Sequence, residues 1–196
     1  MTDIKQRVTN ILTQPKQEWE TIEQEPTSIK ELMTGYLLLL ALIPAIGNLI
    51  GYWLVGFPEM GGVARGGSFS IGIQQAVIAY ITPVIMAFLA GYIINMLADQ
   101  FNSQKDMRRA MQLVVYAQTP SLVAGIFMIV PQLSIIVTIA GIYGLYILYH
   151  GLKPMMKTPD DKHTGYFVVS ILVLIAISII IGIVLTSIFW GSSMGY

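Results

Sequence analysis

The amino-acid sequence predicts an all-α integral membrane protein, a bundle of five transmembrane helices preceded by short amphipathic cytoplasmic helices. Three observations predict this class. First, 55% of the 196 residues are hydrophobic and 11% are charged, which is less than half of the roughly 25% found in an ordinary soluble domain. Second, charged residues are absent from four long stretches. Third, the cations lie almost entirely on alternate connections between predicted spans.

The stretches without Asp, Glu, Lys or Arg contain 27, 33, 43 and 34 residues, at 32–58, 66–98, 110–152 and 163–196. A membrane helix needs about 20 apolar residues to cross a hydrocarbon core of about 30 Å. As a single helix, the third stretch would be about 65 Å long at 1.5 Å per residue, so we expect it to turn back at Pro131. These stretches predict five spans, near 33–57, 74–98, 110–130, 133–152 and 166–190.

The cations predict the orientation of the bundle. With five spans, ten of the eleven Lys and Arg residues fall on the side of the N-terminus, and Arg65 alone falls on the other. Cytoplasmic connections of membrane proteins carry an excess of Lys and Arg. We therefore expect a cytoplasmic N-terminal amphipathic segment at 1–31, a transmembrane domain at 32–190, and a short outer tail at 191–196.

The N-terminal segment contains two short amphipathic patterns. In the first, apolar residues recur at helical spacing, at Ile4, Val8, Ile11 and Leu12. We expect its polar residues, which include Arg7, elsewhere around the turn. In the second, which Pro15 can open, Trp19 and Ile22 stand against a polar set that includes Glu18.

Such a helix pair beside a first span predicts either an anchor packed under the bundle or an element that docks a partner or senses lipid. Trp is enriched at the membrane–water interface, so Trp19 is a candidate for interfacial or partner contact. Arg108, Arg109 and Lys153, in the later cytoplasmic connections, are the other candidates. Ser28 and Glu31 have the spacing of a capping box, which predicts the start of the first span there.

The predicted spans contain no ionisable group except His150, which counts against an ion-coupled transporter or pump. Their polar residues are amides and hydroxyls, which usually form hydrogen bonds between helices. The densest group surrounds Pro120 and either lines a small polar cavity or binds backbone groups that the proline frees. The candidates for a polar cavity or helix contact are Asn48, Asn95, Gln118, Thr119 and Pro120.

Small residues at four-residue spacing predict close helix packing, either within the bundle or between two copies in a homodimer. They are Gly47 and Gly51, then Ala87, Gly91 and Asn95, and finally Ala140 and Gly144.

No pattern in the sequence predicts catalysis. The chain has no cysteine and two histidines, His150 and His163, at a spacing that fits no metal signature. It has neither the nucleophile-elbow nor the zinc-protease motif, and its balanced charge excludes a basic nucleic-acid binder. We therefore expect no enzyme, no cofactor, no metal site and no nucleic-acid partner.

Three segments resemble the Yip family of Ypt/Rab-interacting membrane proteins, in its bacterial branch. They are 11–19 (Ile-Leu-Thr-Gln-Pro-Lys-Gln-Glu-Trp), 111–120, which contains Val-Tyr-Ala-Gln-Thr-Pro, and 142–153, which contains Ile-Tyr-Gly-Leu-Tyr and His-Gly-Leu-Lys. The resemblance runs from about Ile11 to Phe189 and implies a five-span bundle with a cytoplasmic N-terminal region. The Asp-Leu-Tyr-Gly-Pro stretch of eukaryotic members has no counterpart before the first span, so Rab GTPase binding is not carried over.

We therefore expect a non-enzymatic scaffold or adaptor in the bacterial cytoplasmic (inner) membrane, with its N-terminus in the cytoplasm and its C-terminus outside. Its expected partners are the lipid bilayer and a protein on the cytoplasmic face. The alternative is a channel or transporter for a small neutral solute, whose path Asn48, Asn95, Gln118 and Thr119 would line.

Overall fold

The computed structural model describes residues 3–58, 64–65 and 67–191, and within them two short helices precede five long apolar ones. The short helices are α1 (Ile4–Thr13) and α2 (Pro15–Gln24). The long ones are α3 (Ile29–Val55), α4 (Phe69–Phe101), α5 (Met107–Ile129), α6 (Pro131–Met156) and α7 (Asp160–Gly191). Each is long and apolar enough to cross a bilayer, so the chain is an all-α membrane protein. Apart from Gly191, the predicted outer tail lies outside the described residues.

Helix α3 begins at the predicted capping box. The Glu31 amide donates to the Ser28 hydroxyl at 3.2 Å, and the Ser28 amide donates to the Glu31 carboxylate at 3.1 Å, which confirms that prediction. The helix then departs twice from α geometry, through π-helical turns at Met33–Leu37 and Gly51–Val55. Between these turns, Asn48 donates its side-chain amide to the carbonyl of Pro44 at 2.7 Å.

The connection from α3 to α4 contains a two-residue antiparallel pair, β1 (Phe57–Pro58) and β2 (Ala64–Arg65). No strand was predicted here, because two residues are too few for an alternating pattern to be recognised.

Helix α5 is the centre of the bundle. In the most apolar stretch of α5, 61% of the residues are buried, compared with 11% in that of α7, which lies at the periphery. Pro120 divides α5: the first helical piece ends at Ala117 and the second begins at Thr119, with Gln118 between them. After a final 3-10 turn, the chain reverses at Val130 and Pro131 into α6.

Small residues allow α3 to approach α5 closely. A Cβ on Gly47 would lie 2.5 Å from the carbonyl oxygen of Gly125, and one on Gly51 would lie 2.1 Å from that of Met128. Both distances are far inside van der Waals contact, so a side chain at either position would force the helices apart. These two glycines, and Gly91 and Gly144 likewise, contact neighbouring helices of the same chain.

The segments that carry the ten cations meet at one end of the bundle. The Gln104 amide, before α5, donates to the carbonyl of Met156, after α6, at 2.7 Å. Arg109 donates to the carbonyl of Glu23 in α2, and Lys157 pairs with the Glu23 carboxylate. The N-terminal helices and two inter-helix connections therefore form one continuous polar end.

Candidate functional site

Trp19 joins the N-terminal helices to the bundle. Its side chain is completely buried, and its indole nitrogen donates to the Ile147 carbonyl of α6 at 3.0 Å. Gly151, one turn further along α6, leaves the space that the indole fills, since a Cβ there would lie 2.3 Å from Trp19 Cε2. Trp19 therefore contacts the inside of the bundle in this structure, and neither lipid nor a partner can reach its side chain.

A buried ion cluster lies next to Trp19. Arg7 of α1, with 3% of its surface exposed, pairs with Glu18 of α2 and with Glu25. Asn10 donates to the second carboxylate oxygen of Glu18 at 2.9 Å. The guanidinium carbon of Arg7 lies 5.5 Å from the ring centroid of Tyr116 in α5, a distance at which cation–π attraction operates.

The expectation that Arg7 and Glu18 lie away from the apolar faces of their helices is wrong, because both are buried in this cluster. Arg7 precedes Ile11 by four residues and therefore shares its buried face. Glu18 is 5% exposed and stands beside Trp19 on α2. In water these charges would favour an outer face, but here each carboxylate has a guanidinium partner that compensates its burial.

Aromatic and hydroxyl groups continue the cluster into the bundle. The Tyr36 hydroxyl of α3 lies 2.8 Å from the Thr119 hydroxyl of α5, and the Tyr36 ring packs edge-on against Tyr116 at 4.9 Å between centroids. Thr119 is fully buried by these contacts. It therefore makes a helix contact and does not line a cavity.

The three basic candidates lie on the polar end and are engaged with neighbouring groups. Arg108 is within 3.7 Å of Asp106, and Lys153 pairs with Asp160. Arg109 is half-buried and donates to the Glu23 carbonyl. Of the three, Arg108 and Lys153 have exposed side chains that a partner could reach.

Two adjoining cavities, both open to the surface of the bundle, lie among the apolar helices. The outer cavity, about 490 Å³, lies between α3, α4, α5 and α6, and Asn48, Gln75 and Thr82 contribute to its wall. The inner cavity, about 280 Å³, lies between α4, α5, α6 and α7 and is lined mostly by apolar side chains. Met86, Gln118 and Ser121 line both cavities, so the two meet where Pro120 breaks α5.

The predicted cavity residues divide between wall and helix contact. Asn48 and Gln118 line cavities, whereas Thr119 and Pro120 are buried between helices. Asn95 is half-buried near the inner end of α4, and its side-chain oxygen is enclosed without a hydrogen-bond donor in the described part of the protein. Ser121 belongs to the polar group around Pro120 and lines both cavities. Gln75 and Thr82 were not singled out as cavity residues, because single amides and hydroxyls in apolar helices are usually bonded to other helices.

The described residues include no group of three or more His, Asp or Glu side chains placed to hold a metal ion. His163 lies 2.8 Å from the Tyr149 carbonyl through Nε2, and the His150 ring packs edge-on against Tyr146 at 4.4 Å. Both histidines therefore make structural contacts near the polar end. The arrangement has two notable features: a docked N-terminal helix pair, and an outer cavity in whose mostly apolar described wall the polar groups are uncharged amides and hydroxyls.

Together these features define a polytopic helical membrane protein. An amphipathic helix pair closes one end of its five-helix bundle. A family model described as the Yip1 domain matches residues 9–183. The chain therefore belongs to the Yip1 domain family, which confirms the resemblance found in its sequence.

The chain is also similar to the inner membrane protein YohC of Escherichia coli, in strains K12 and CFT073. The identity is 25% over 187 residues, covering 94% of this chain and 95% of that protein. No solved structure matches the chain significantly.

Proposed function

We propose that this protein is a non-enzymatic scaffold or adaptor, which presents the helix pair α1–α2 to a protein partner on the cytoplasmic face of the bacterial inner membrane. The observation that carries the proposal is the attachment of the pair by buried contacts. Trp19 and the Arg7–Glu18–Glu25 cluster fix its inner face to the bundle, so its outer face keeps one shape and one distance from the membrane.

The outer face supports a protein partner more strongly than a lipid surface. It carries exposed side chains of both signs of charge, at Lys5, Lys16 and Glu20. Near an anionic bilayer each unpaired Lys or Arg contributes about 1 kcal/mol of attraction. Lys105, Arg108, Lys153 and Lys157, however, have carboxylate partners, so the polar end attracts anionic lipid less than its ten cations suggest.

The proposed location combines two supports. The related protein YohC is named an inner membrane protein, and the cations of this chain gather at the end that carries the N-terminus. Under the positive-inside rule that end is cytoplasmic and the C-terminus is outside.

Site-specific photo-crosslinking in cells tests the scaffold function. A photoreactive amino acid at position 16, on the outer face of α2, should give a discrete protein adduct, while the same group at position 132, in the turn before α6, serves as the control. The adduct should disappear when Gly151→Leu displaces the helix pair. Equal adducts at both positions, or an adduct insensitive to Gly151→Leu, would contradict the proposal.

The cavities favour a second candidate, a channel or transporter for a small neutral solute. Gln118 and Ser121 line both cavities and could pass a solute from one to the other. Trp19 opposes this candidate, because it fills the space below the inner cavity. Glycerol entry into proteoliposomes tests it: a pathway requires protein-dependent entry, which Trp19→Ala should accelerate. Entry at the rate of protein-free liposomes for both proteins would exclude the pathway.

A further inference from the structure

The inner wall of the bundle combines unpaired polar groups with a deep apolar extension, which is the composition of an amphiphile site. We propose that the two cavities bind one neutral, elongated lipid-like molecule, with a hydroxyl head group among the amides of the outer cavity and a hydrocarbon tail in the inner cavity. This inference does not depend on the scaffold function.

The polar groups of the outer cavity are available to a ligand. Gln75, Thr82, Gln118 and Ser121 are half-buried, and their side chains have no hydrogen-bond partner in the part of the chain that the structure describes. Polar groups that face lipid without a hydrogen-bond partner are unfavourable, because hydrocarbon neither donates nor accepts hydrogen bonds. A ligand that accepts and donates hydrogen bonds would relieve this cost.

The charge of the lining selects a neutral head group. Among the residues that the structure describes, no Asp, Glu, Lys, Arg or His lines either cavity. A phosphate or carboxylate bound there would be a buried charge without a partner, which is strongly unfavourable. A hydroxyl matches the amides and hydroxyls of the wall, since it both donates and accepts.

The inner cavity suits a hydrocarbon tail, because its wall is mostly apolar. It has few hydrogen-bonding groups for a small polar solute. Beyond Gln118 and Ser121, the one other polar side chain in its described lining is Ser178, whose hydroxyl already donates to the Leu174 carbonyl at 2.8 Å. The remaining wall is made of Ala, Gly, Val, Leu, Ile and Met. A water-soluble molecule would find no further partner in this direction.

The shape of the space indicates an elongated ligand that enters from the membrane. The cavities follow α4 from Gln75 to Ala90, a length of about 22 Å at 1.5 Å per residue. The outer cavity alone has the volume of a ligand site, for which about 300–1,000 Å³ is typical. Helix α6 contributes Val137 to the described lining of the outer cavity, and α4 and α6 pack against α3, α5 and α7 more extensively than against each other. The gap between α4 and α6 is therefore where the ligand would enter.

The cytoplasmic end of this space is closed. Val114 and Leu148 line the inner cavity at its cytoplasmic side. Just beyond them, Leu113 and Gly151 lie against the Trp19 ring, and Trp19 bonds to the Ile147 carbonyl. The space is therefore a blind site, which suits binding of a ligand rather than its passage.

Photolabelling of the full-length protein in phosphatidylethanolamine–phosphatidylglycerol vesicles tests the proposal. The probe is hexadecanol with a diazirine in its tail, and hexadecanesulfonic acid with the same diazirine is the comparison, because a sulfonate stays charged in the membrane whereas a carboxylate there takes up a proton. We expect the alcohol to label the protein about tenfold more than the acid, with the adduct on buried residues of the inner cavity such as Val114 or Leu148, each 5% exposed. Equal labelling by both probes, or adducts only on lipid-facing residues such as Ile81, would overturn the proposal.

Two variants with matched controls locate the site. A Cβ on Gly141 would meet Ser121 Oγ at 3.5 Å, an ordinary contact, so Gly141→Leu should fill the inner cavity and abolish labelling by the alcohol. Gly165→Leu, with an equal 3.5 Å contact to Phe101 at the polar end, should label normally. The double variant Gln118→Leu, Ser121→Ala should lose the preference for alcohol over acid, whereas Gln132→Leu should retain it.

The remaining outcomes of these experiments also test the proposal. Unchanged labelling of Gly141→Leu would overturn the proposal. Competition by excess glycerol or urea would overturn it in favour of a site for small solutes. If Gly141→Leu fails to fold, the position of the adduct in the unmodified protein decides alone.

Discussion

The indole nitrogen of Trp19 donates to the carbonyl of Ile147 across 128 residues of sequence, at 3.0 Å, in a fully buried contact between the N-terminal helices and α6. Because the side chain fills space between helices, Trp19→Ala should cost about 3–5 kcal/mol of stability. Trp19→Phe, which keeps most of the volume and loses the hydrogen bond, should cost about 1 kcal/mol for that bond. Thermal unfolding in detergent, followed by circular dichroism, measures both.

The control for this prediction is Trp53, whose side chain is 46% exposed on α3. Trp53→Ala should lower the unfolding temperature by less than half as much as Trp19→Ala. Equal losses at the two positions would show that Trp19 has no special part in joining the helices.

Gly151 controls whether the N-terminal helices can dock. A Cβ there would lie 2.3 Å from Trp19 Cε2 and 2.6 Å from Leu113 Cδ1, so Gly151→Ala should displace the indole. Local unfolding of α2 would then expose the bond after Lys16 to protease, and we expect trypsin to cleave there about tenfold faster. Gly165→Ala, whose Cβ has room, is the matched control and should be cleaved at the original rate.

The Arg7 cluster should behave as a buried ion network. Arg7→Met leaves Glu18 and Glu25 without their guanidinium and should cost about 3–5 kcal/mol, since it strands buried charge. Adding Glu18→Gln and Glu25→Gln removes that charge and should restore much of the loss. Thermal unfolding of the single and triple variants measures the recovery.

The exposed pair between Lys105 and Asp99, at 2.9 Å and with both side chains more than half exposed, provides the comparison. Lys105→Met should cost between 0 and about 1 kcal/mol. If Arg7→Met were as mild as Lys105→Met, or if the triple variant were less stable than Arg7→Met, the network would not contribute as described.

The fold class could be predicted from the sequence because the bilayer imposes a simple rule on composition. Helices in lipid must be apolar over about 20 residues, and runs such as 66–98 satisfy it without any tertiary information. The capping box at Ser28 was equally predictable, since its two hydrogen bonds join residues three apart. Such features depend on neighbours in the chain.

Packing of the N-terminal helices under the bundle was one of the two predicted alternatives, but the contacts that dock them could not be predicted, because they depend on partners far away in the sequence. From the sequence, Arg7 and Glu18 look like charges exposed to water. They are buried only because α1 and α2 face each other beneath Tyr116. Trp19 has the residue type of an interfacial anchor, and only the Ile147 carbonyl and the space at Gly151 explain its complete burial. The sequence pointed to Gln118 near Pro120, but Gln75 and Thr82 join it only through the packing of α4.

The orientation of the bundle leads to a prediction that the absence of cysteine makes easy to test. Because the sequence contains none, each introduced cysteine is the single reactive thiol. Thr13, exposed at the end of α1, lies at the polar end, and Gln132, exposed in the turn between α5 and α6, lies at the opposite end. In intact cells a membrane-impermeant maleimide should label Gln132→Cys and leave Thr13→Cys unlabelled, and permeabilised cells should label both. Labelling of Thr13→Cys alone in intact cells would invert the topology and place the proposed partner surface outside the cytoplasm.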